Sequence, residues 1–318
     1  MLKTDDAVIR CEQLTKRYPG HVMAVDRLDL SVKCGEIFGL LGPNGAGKTT
    51  TIGMLTTLVV PTAGRAAVAG IDVVSHPSMV KQLIGTVSQV NNLDRSLTVW
   101  ENLYYHGRFF GMGARESREA ADKSLVEFRL SERAKSDVAT ISGGMARRLQ
   151  VARALIHNPS VLFLDEPTAG LDPQSRIALW DILRRLHTSG QTILLTTHNM
   201  EEADSACDRL AIMDRGRLLA IDSPKNLKKT VGADTIVTVS SDGDLDALAR
   251  RLQDRVEGAT RSRQIDGVVQ LQVKGRTGVL PRVVSVAEQE GFAITDLSLA
   301  EPTLETVFIN LTGKELRD

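Results

Sequence analysis

Eight consecutive residues constrain this chain more than any other stretch: Gly42-Pro43-Asn44-Gly45-Ala46-Gly47-Lys48-Thr49. They satisfy the pattern G-x-x-x-x-G-K-[ST] in full. The segment before them, Ile37-Phe38-Gly39-Leu40-Leu41, is continuously apolar and reads as a strand buried on both faces of a parallel sheet. A helix pattern opens after the loop, which completes the strand–loop–helix context that such a match needs. The glycines permit a tight turn that points several backbone N–H groups at phosphate oxygens, and the helix N-terminus adds favourable partial charge. In that setting Lys48 reaches the β- and γ-phosphates of a nucleotide and the Thr49 hydroxyl ligates Mg²⁺. Residues Gly42 to Thr50 are the candidate phosphate-binding set.

Two more continuously apolar segments follow, Val161-Leu162-Phe163-Leu164 and Thr192-Ile193-Leu194-Leu195, with helical stretches between them. That alternation is the βαβ signature of an α/β fold with a mainly parallel sheet. The first of these strands ends in Asp165-Glu166-Pro167, a Walker B pattern. Carboxylates at the carboxyl end of a buried strand sit where open parallel sheets bind ligands. Asp165 is the candidate Mg²⁺ holder, and Glu166 the candidate group that orients or deprotonates an attacking water.

The chain has 318 residues, which suggests two domains. A punctuation point at Ser223-Pro224 places the expected boundary there, giving domains 1–224 and 225–318. Before it, Leu210 to Met213 and Leu218 to Ile221 flank the turn Arg215-Gly216 and read as a hairpin. Residues 95–157 are rich in helix signals and open with a capping box, Thr98 with Glu101. In the second domain the segments 235–240, 245–256, 259–265, 268–273, 279–290 and 292–299 read as βαββαβ. A small ferredoxin-like α+β domain is therefore expected there.

Charge excludes one class of function. Lys plus Arg and Asp plus Glu both number 39, so the net charge is zero and no nucleic-acid partner is expected from overall charge. Cys11, Cys34 and Cys207 lack CxxC spacing, which fits a reducing cytosol and not a disulfide framework or zinc site. No run approaches the ~18 apolar residues of a membrane span. The opening Met1-Leu2-Lys3-Thr4-Asp5-Asp6 is acidic where a signal peptide would be basic.

Ile141-Ser142-Gly143-Gly144-Met145 starts an amphipathic helix, with Ser142 suited to the N-cap. Lying between the phosphate loop and Walker B, Ser142-Gly143-Gly144 resembles the signature of the ABC transporter ATP-binding subunits, a P-loop NTPase family. The resemblance covers about residues 8 to 224 and implies an antiparallel β subdomain and a helical subdomain beside the parallel sheet. It implies further roles. Tyr18 stands at the aromatic position that stacks on adenine. Gln89, after Thr86-Val87-Ser88, matches the Q-loop glutamine near Mg²⁺ and water. Ala169-Gly170-Leu171-Asp172 matches the D-loop. His198 matches the switch histidine that meets the γ-phosphate. By the same resemblance two copies pair head to tail, so that Ser142, Gly143 and Gly144 complete the ATP site of the partner copy. Ile141 and Met145 depart from the usual leucine and glutamine, and neither departure removes a phosphate contact.

Within the family, residues 89–112 and the tail from Glu301 to Phe308 look like the daunorubicin-resistance type of exporter ATPase. The nodulation lipo-oligosaccharide exporters have a similar ATPase, which leaves the substrate open among drug, lipid and saccharide. The resemblance implies ATP and Mg²⁺ as ligands, a homodimer, and a separately encoded transmembrane permease. It also implies a cytoplasmic, peripheral place on the inner face of the membrane. Trp100, Tyr104, Tyr105, Phe109 and Phe110 either line a groove for that permease or pack the subdomain core. The alternative function is a soluble ABC ATPase acting on ribosomes or DNA. One phosphate loop rather than two, and about ninety residues between Gly47 and Ser142, count against it.

Overall fold

The structure, a computed structural model, describes residues 7–275 and 277–313. They fall into two compact units that divide between Ser223 and Pro224.

The first unit begins with strands β1 (Ala7–Tyr18), β2 (Val22–Lys33) and β3 (Ile37–Leu41), then helix α1 (Lys48–Leu55). After β4 (Ala63–Val68) and β5 (Ile71–Asp72) come α2 (Pro77–Leu83) and β6 (Ile84–Val87). Three helices, α3 (Val99–Phe109), α4 (Ala114–Glu127) and α5 (Gly143–Leu155), lead to β7 (Val161–Asp165). The unit closes with α6 (Pro173–Thr188), β8 (Thr192–Thr197), α7 (Met200–Ala206), β9 (Arg209–Asp214) and β10 (Arg217–Asp222).

Two sheets form. An antiparallel sheet has the order β2-β1-β4-β5, and a six-stranded sheet the order β10-β9-β3-β8-β7-β6. In the second, β3 pairs in parallel with β8 and β9, β8 with β7, and β7 with β6, while β10 is antiparallel to β9. Every residue of β3, β7 and β8 is buried, as continuous apolar runs require when both faces of a parallel sheet are covered. The α/β class, the antiparallel subdomain and the helical stretch are those expected from the sequence. One core joins the sheets: Ile9, Leu14, Val25 and Leu28 pack with Phe38, Leu40, Phe163 and Leu194.

Register positions the site. Leu40 of β3 lies level with Thr196 of β8, and Thr196 lies level with Asp165 of β7. The carboxyl ends of three adjacent strands therefore present the phosphate loop, Thr196 and the Asp165-Glu166 pair along one edge.

The second unit runs α8 (Pro224–Lys229), β11 (Thr235–Ser241), α9 (Leu245–Arg255), β12 (Ala259–Ile265), β13 (Val268–Val273), α10 (Val279–Gln289), β14 (Ile294–Ala300) and α11 (Leu304–Thr312). The antiparallel order β12-β13-β11-β14 is ferredoxin-like. Leu248, Leu252, Val283 and Ala287 pack on Val237, Val239, Val269 and Leu271. The sequence reading differs at the last strand, which starts at Ile294 and not at Phe292. Gly291 adopts φ +80° and ends α10, and Phe292 N–H donates to Ala287 O at 2.9 Å, so Phe292 belongs to the helix cap. Helices α8 and α11 were not expected. No helix among the described residues is long and apolar enough to cross a membrane.

Candidate functional site

The phosphate loop leaves β3 and enters α1 through Gly47, whose φ is 100°. A Cβ there would lie 2.3 Å from Ala24 O, so both conformation and space demand glycine. The first N–H groups of α1, from Lys48 onward, have no intrahelical acceptor and are free to meet an anion. Lys48 is buried, and its Nζ donates to Gly42 O (2.7 Å) and Pro43 O (3.2 Å). Its Nζ also lies 3.4 Å from Glu166 Oε1. Burial holds the Lys48 pKa below the usual lysine value, against the opposing pull of Glu166 and Asp165. Asn44, Gly45 and Thr49 are exposed, Pro43 and Thr50 half-buried, and Ala46 buried.

Opposite the loop, Asp165 and Glu166 are both buried. Asp165 Oδ1 accepts from the Thr49 hydroxyl (3.2 Å) and the Thr196 hydroxyl (2.6 Å). Glu166 has φ 48°, in the left-handed region, and its N–H donates to Thr196 Oγ1 at 2.9 Å. This turn aims the Glu166 carboxylate between two partners, Lys48 and His198, whose Nδ1 is 2.8 Å from Glu166 Oε2. The structure thus gathers Lys48, Thr49, Asp165, Glu166 and His198 from the ends of three strands. Thr49 and Asp165 offer two hard oxygens 3.2 Å apart. Mg²⁺ takes one or two protein oxygens together with phosphates and water, so this donor set fits that ion.

The remaining sequence-derived residues lie outside this cluster. Ser142 caps α5, accepting from Met145 N–H at 3.2 Å, and is exposed together with Gly143. Gly144 is buried, and a Cβ on it would lie 2.1 Å from Ser175 Oγ and 2.6 Å from Ser175 Cβ. Gly144 therefore permits the close approach of α5 to the start of α6. Asp172 caps that same helix by accepting from Ser175 N–H at 3.0 Å, and this bonding holds its pKa below the usual carboxylate value. Tyr18 ends β1 half-exposed, with Lys16 Nζ 5.1 Å from its ring centroid. Gln89 is exposed just after β6. Among the described hydrogen bonds, none joins Gln89, Ser142 or Gly143 to the phosphate loop.

In the helical subdomain, Trp100 and Tyr104 stack at 4.9 Å and Trp100 Nε1–H donates to Asp122. Tyr105 and Phe109 are exposed, Phe109 to 82%. Phe110 stacks on His157 at 3.7 Å. These aromatics divide between packing and surface.

Sequence reasoning missed two residues. Thr196 joins both carboxylate residues through one hydroxyl, and a polar residue inside a run of buried strand was the signal. Arg147 is buried on α5, one helical turn before buried Val151. A charged residue on an apolar helix face was the signal there.

Residues 25–169 match the ABC transporter family. Over 97% of its length the chain is 41% identical to the daunorubicin resistance ATP-binding protein DrrA2 of Streptomyces coeruleorubidus, covering 96% of that protein. The chain belongs to the ABC transporter ATP-binding family. It is 43% identical to the Nod factor export ATP-binding protein I of Ralstonia nicotianae, over 98% of this chain and 95% of that one. The solved structure of cbiO1 from Clostridium perfringens, part of the ABC transporter complex cbiONQ, superposes with a TM-score of 0.66 at 26% identity. That similarity covers 72% of this chain and 94% of cbiO1. This ABC protein is accordingly an ATP-binding ATPase subunit coupled to transport.

Proposed function

We propose that this chain drives export of a drug-, lipid- or saccharide-type compound through a separately encoded membrane permease. The relatives just named serve daunorubicin resistance and Nod factor export, which supports an export direction. The chain works as a homodimer, peripheral on the cytoplasmic face of the membrane. The single observation that carries the catalytic reading is the Glu166 carboxylate, held 3.4 Å from Lys48 Nζ and 2.8 Å from His198 Nδ1 at the mouth of the phosphate loop.

Each residue then has a task. Backbone N–H groups of Gly45 to Thr50 cradle the phosphates, and Lys48 leaves its carbonyl contacts on the loop to meet the β- and γ-oxygens. Thr49 and Asp165 hold Mg²⁺, which neutralises charge on the phosphates, and Gln89 joins that region when the permease engages. Glu166 accepts the proton of the attacking water and His198 keeps its carboxylate oriented. Tyr18 stacks on the adenine. Ser142, Gly143 and Gly144, outside this chain's own cluster, face the ATP of the partner copy, with Asp172 near the same seam. Exposed Tyr105 and Phe109 offer the permease an aromatic contact.

The test is Glu166→Gln. ATP is expected to bind with its affinity kept while hydrolysis falls by ~10²-fold or more, and an ATP-dependent dimer accumulates on size exclusion. Parental turnover in that variant would refute the assigned base.

A further inference from the structure

Arg147 carries a charge into the core of the ATP-binding unit. Its guanidinium is buried, and each of its five N–H groups has an acceptor. Nε donates to Pro167 O at 2.7 Å, and Nη2 to Asp165 O at 3.0 Å and Glu166 O at 2.9 Å. Nη1 donates to Ser88 O at 2.6 Å and to Gln150 Oε1 at 3.1 Å. Among the described residues no carboxylate forms an ion pair with it, so its role is to collect carbonyls.

Three of those carbonyls are consecutive, and they converge because Glu166 takes φ 48° between them. A non-glycine residue in that region is strained and persists only where its surroundings enforce it. Carbonyl dipoles converging in a dry site also repel one another unless a cation sits among them. Arg147 supplies that cation. Burial lowers its pKa to about 10, which leaves it charged at neutral pH. On the other side of the same peptide, Thr196 accepts the Glu166 N–H. The backbone that aims the Glu166 carboxylate is therefore pinned at both its N–H and its C=O. The fourth carbonyl belongs to Ser88, the residue before Gln89, so one guanidinium ties together the end of β6, the turn after β7 and the helix that begins at the signature.

We propose that Arg147 is a positioning residue for hydrolysis, holding from the signature helix the turn that aims Glu166 and the strand end that presents Gln89. A planar fork serves all of these acceptors at once, which an ammonium with three donors on a flexible stem does not. The proposal rests on Glu166 being the base.

Arg147→Met keeps the stem and removes the donors; Arg147→Lys keeps the charge. With thermal unfolding monitored so that rates are taken per folded protein, Arg147→Met is expected to lower kcat at least ~10-fold while affinity for a non-hydrolysable ATP analogue stays within ~3-fold. Arg147→Lys is expected to fall between it and the parent. A kcat per folded protein within ~2-fold of the parent, or parallel loss of nucleotide binding, would overturn the proposal. Should the methionine variant not fold, Arg147→Lys is placed in the Glu166→Gln background, where it should reduce residual hydrolysis far less than it reduces the parental rate. An equal reduction in both backgrounds contradicts action through Glu166. Full activity of Glu166→Gln alone would instead remove the base assignment, and the two failures are thereby distinguished.

Discussion

At the β7–β8 edge, Asp165 Oδ1 takes two hydroxyl donors and the Glu166 carboxylate lies against Lys48 and His198, all within one chain. On helix α5, by contrast, Ser142 and Gly143 are exposed, and Gly143 has open space where a Cβ would stand. The first region is, on the function proposed above, one half of a reaction centre, and its polar groups are already paired within the chain. The second is an exposed surface at the start of a helix. A buried polar network must be satisfied at folding, whereas a surface that completes a partner's site must stay open. The adjacent glycines differ in their surroundings. Gly143 has open space beside it, whereas Gly144, in the same proposed set, also packs against Ser175.

That contrast can be broken from either side. The largest effect is expected at Glu166→Gln, because it removes the proposed proton acceptor and leaves the phosphate loop unchanged. Thr196→Val comes next: it strips a donor from Asp165 and leaves the buried Glu166 N–H unpaired, a stability loss of about 1–3 kcal/mol readable by denaturant titration. Hydrolysis should fall with it. Gly144→Ala forces its new methyl into Ser175 and is expected to cost about 1–3 kcal/mol. The second change Ser175→Gly should return much of that loss. Gly143→Ala, with nothing within 4 Å, should stay within ~0.5 kcal/mol of the parent while still lowering dimer-dependent hydrolysis.

A separate prediction concerns acid stability of the helical subdomain. His106 contacts Phe110 and His157, and burial, with Arg153 and His157 nearby, holds its pKa at about 3, far below the ordinary 6.5. His157 is lowered as well, chiefly by burial. A histidine neutral in the folded state but protonated once unfolded loses stability as pH falls below 6.5, and the loss continues towards the folded-state value. His106→Leu should therefore lose about 1–2 kcal/mol less than the parent between pH 7 and pH 5. Equal losses in both proteins would remove His106 as the cause.

Much of this was legible in the sequence because the signals were local. The phosphate loop lay between an apolar run and a helix start, and Asp165-Glu166 closed a second apolar run. The capping box of Thr98 and Glu101 formed as expected, with Thr98 Oγ1 accepting Glu101 N–H at 3.2 Å. What stayed hidden depended on contacts distant in sequence. Arg147 and Ser88 are 59 residues apart, and Thr196 and Asp165 are 31 apart. Helix α11 is a different omission. Thr303 at its N-cap, and Leu304, Val307 and Phe308 at helical spacing, form a local pattern that is legible in the sequence, although the resemblance carried by the same tail says nothing of a helix.

The central claim is that each reaction centre is shared between two chains, one giving the phosphate loop and carboxylates, the other the signature. Mixing Lys48→Ala with Ser142→Arg tests it most directly, since each variant alone spoils every site of its own homodimer. In a random mixture half the dimers carry one intact centre, so ATP hydrolysis should recover to about a quarter of the parental rate at equal total protein. A mixture no more active than the mean of the two separate variants, with both folded and dimer formation verified, would contradict the shared centre.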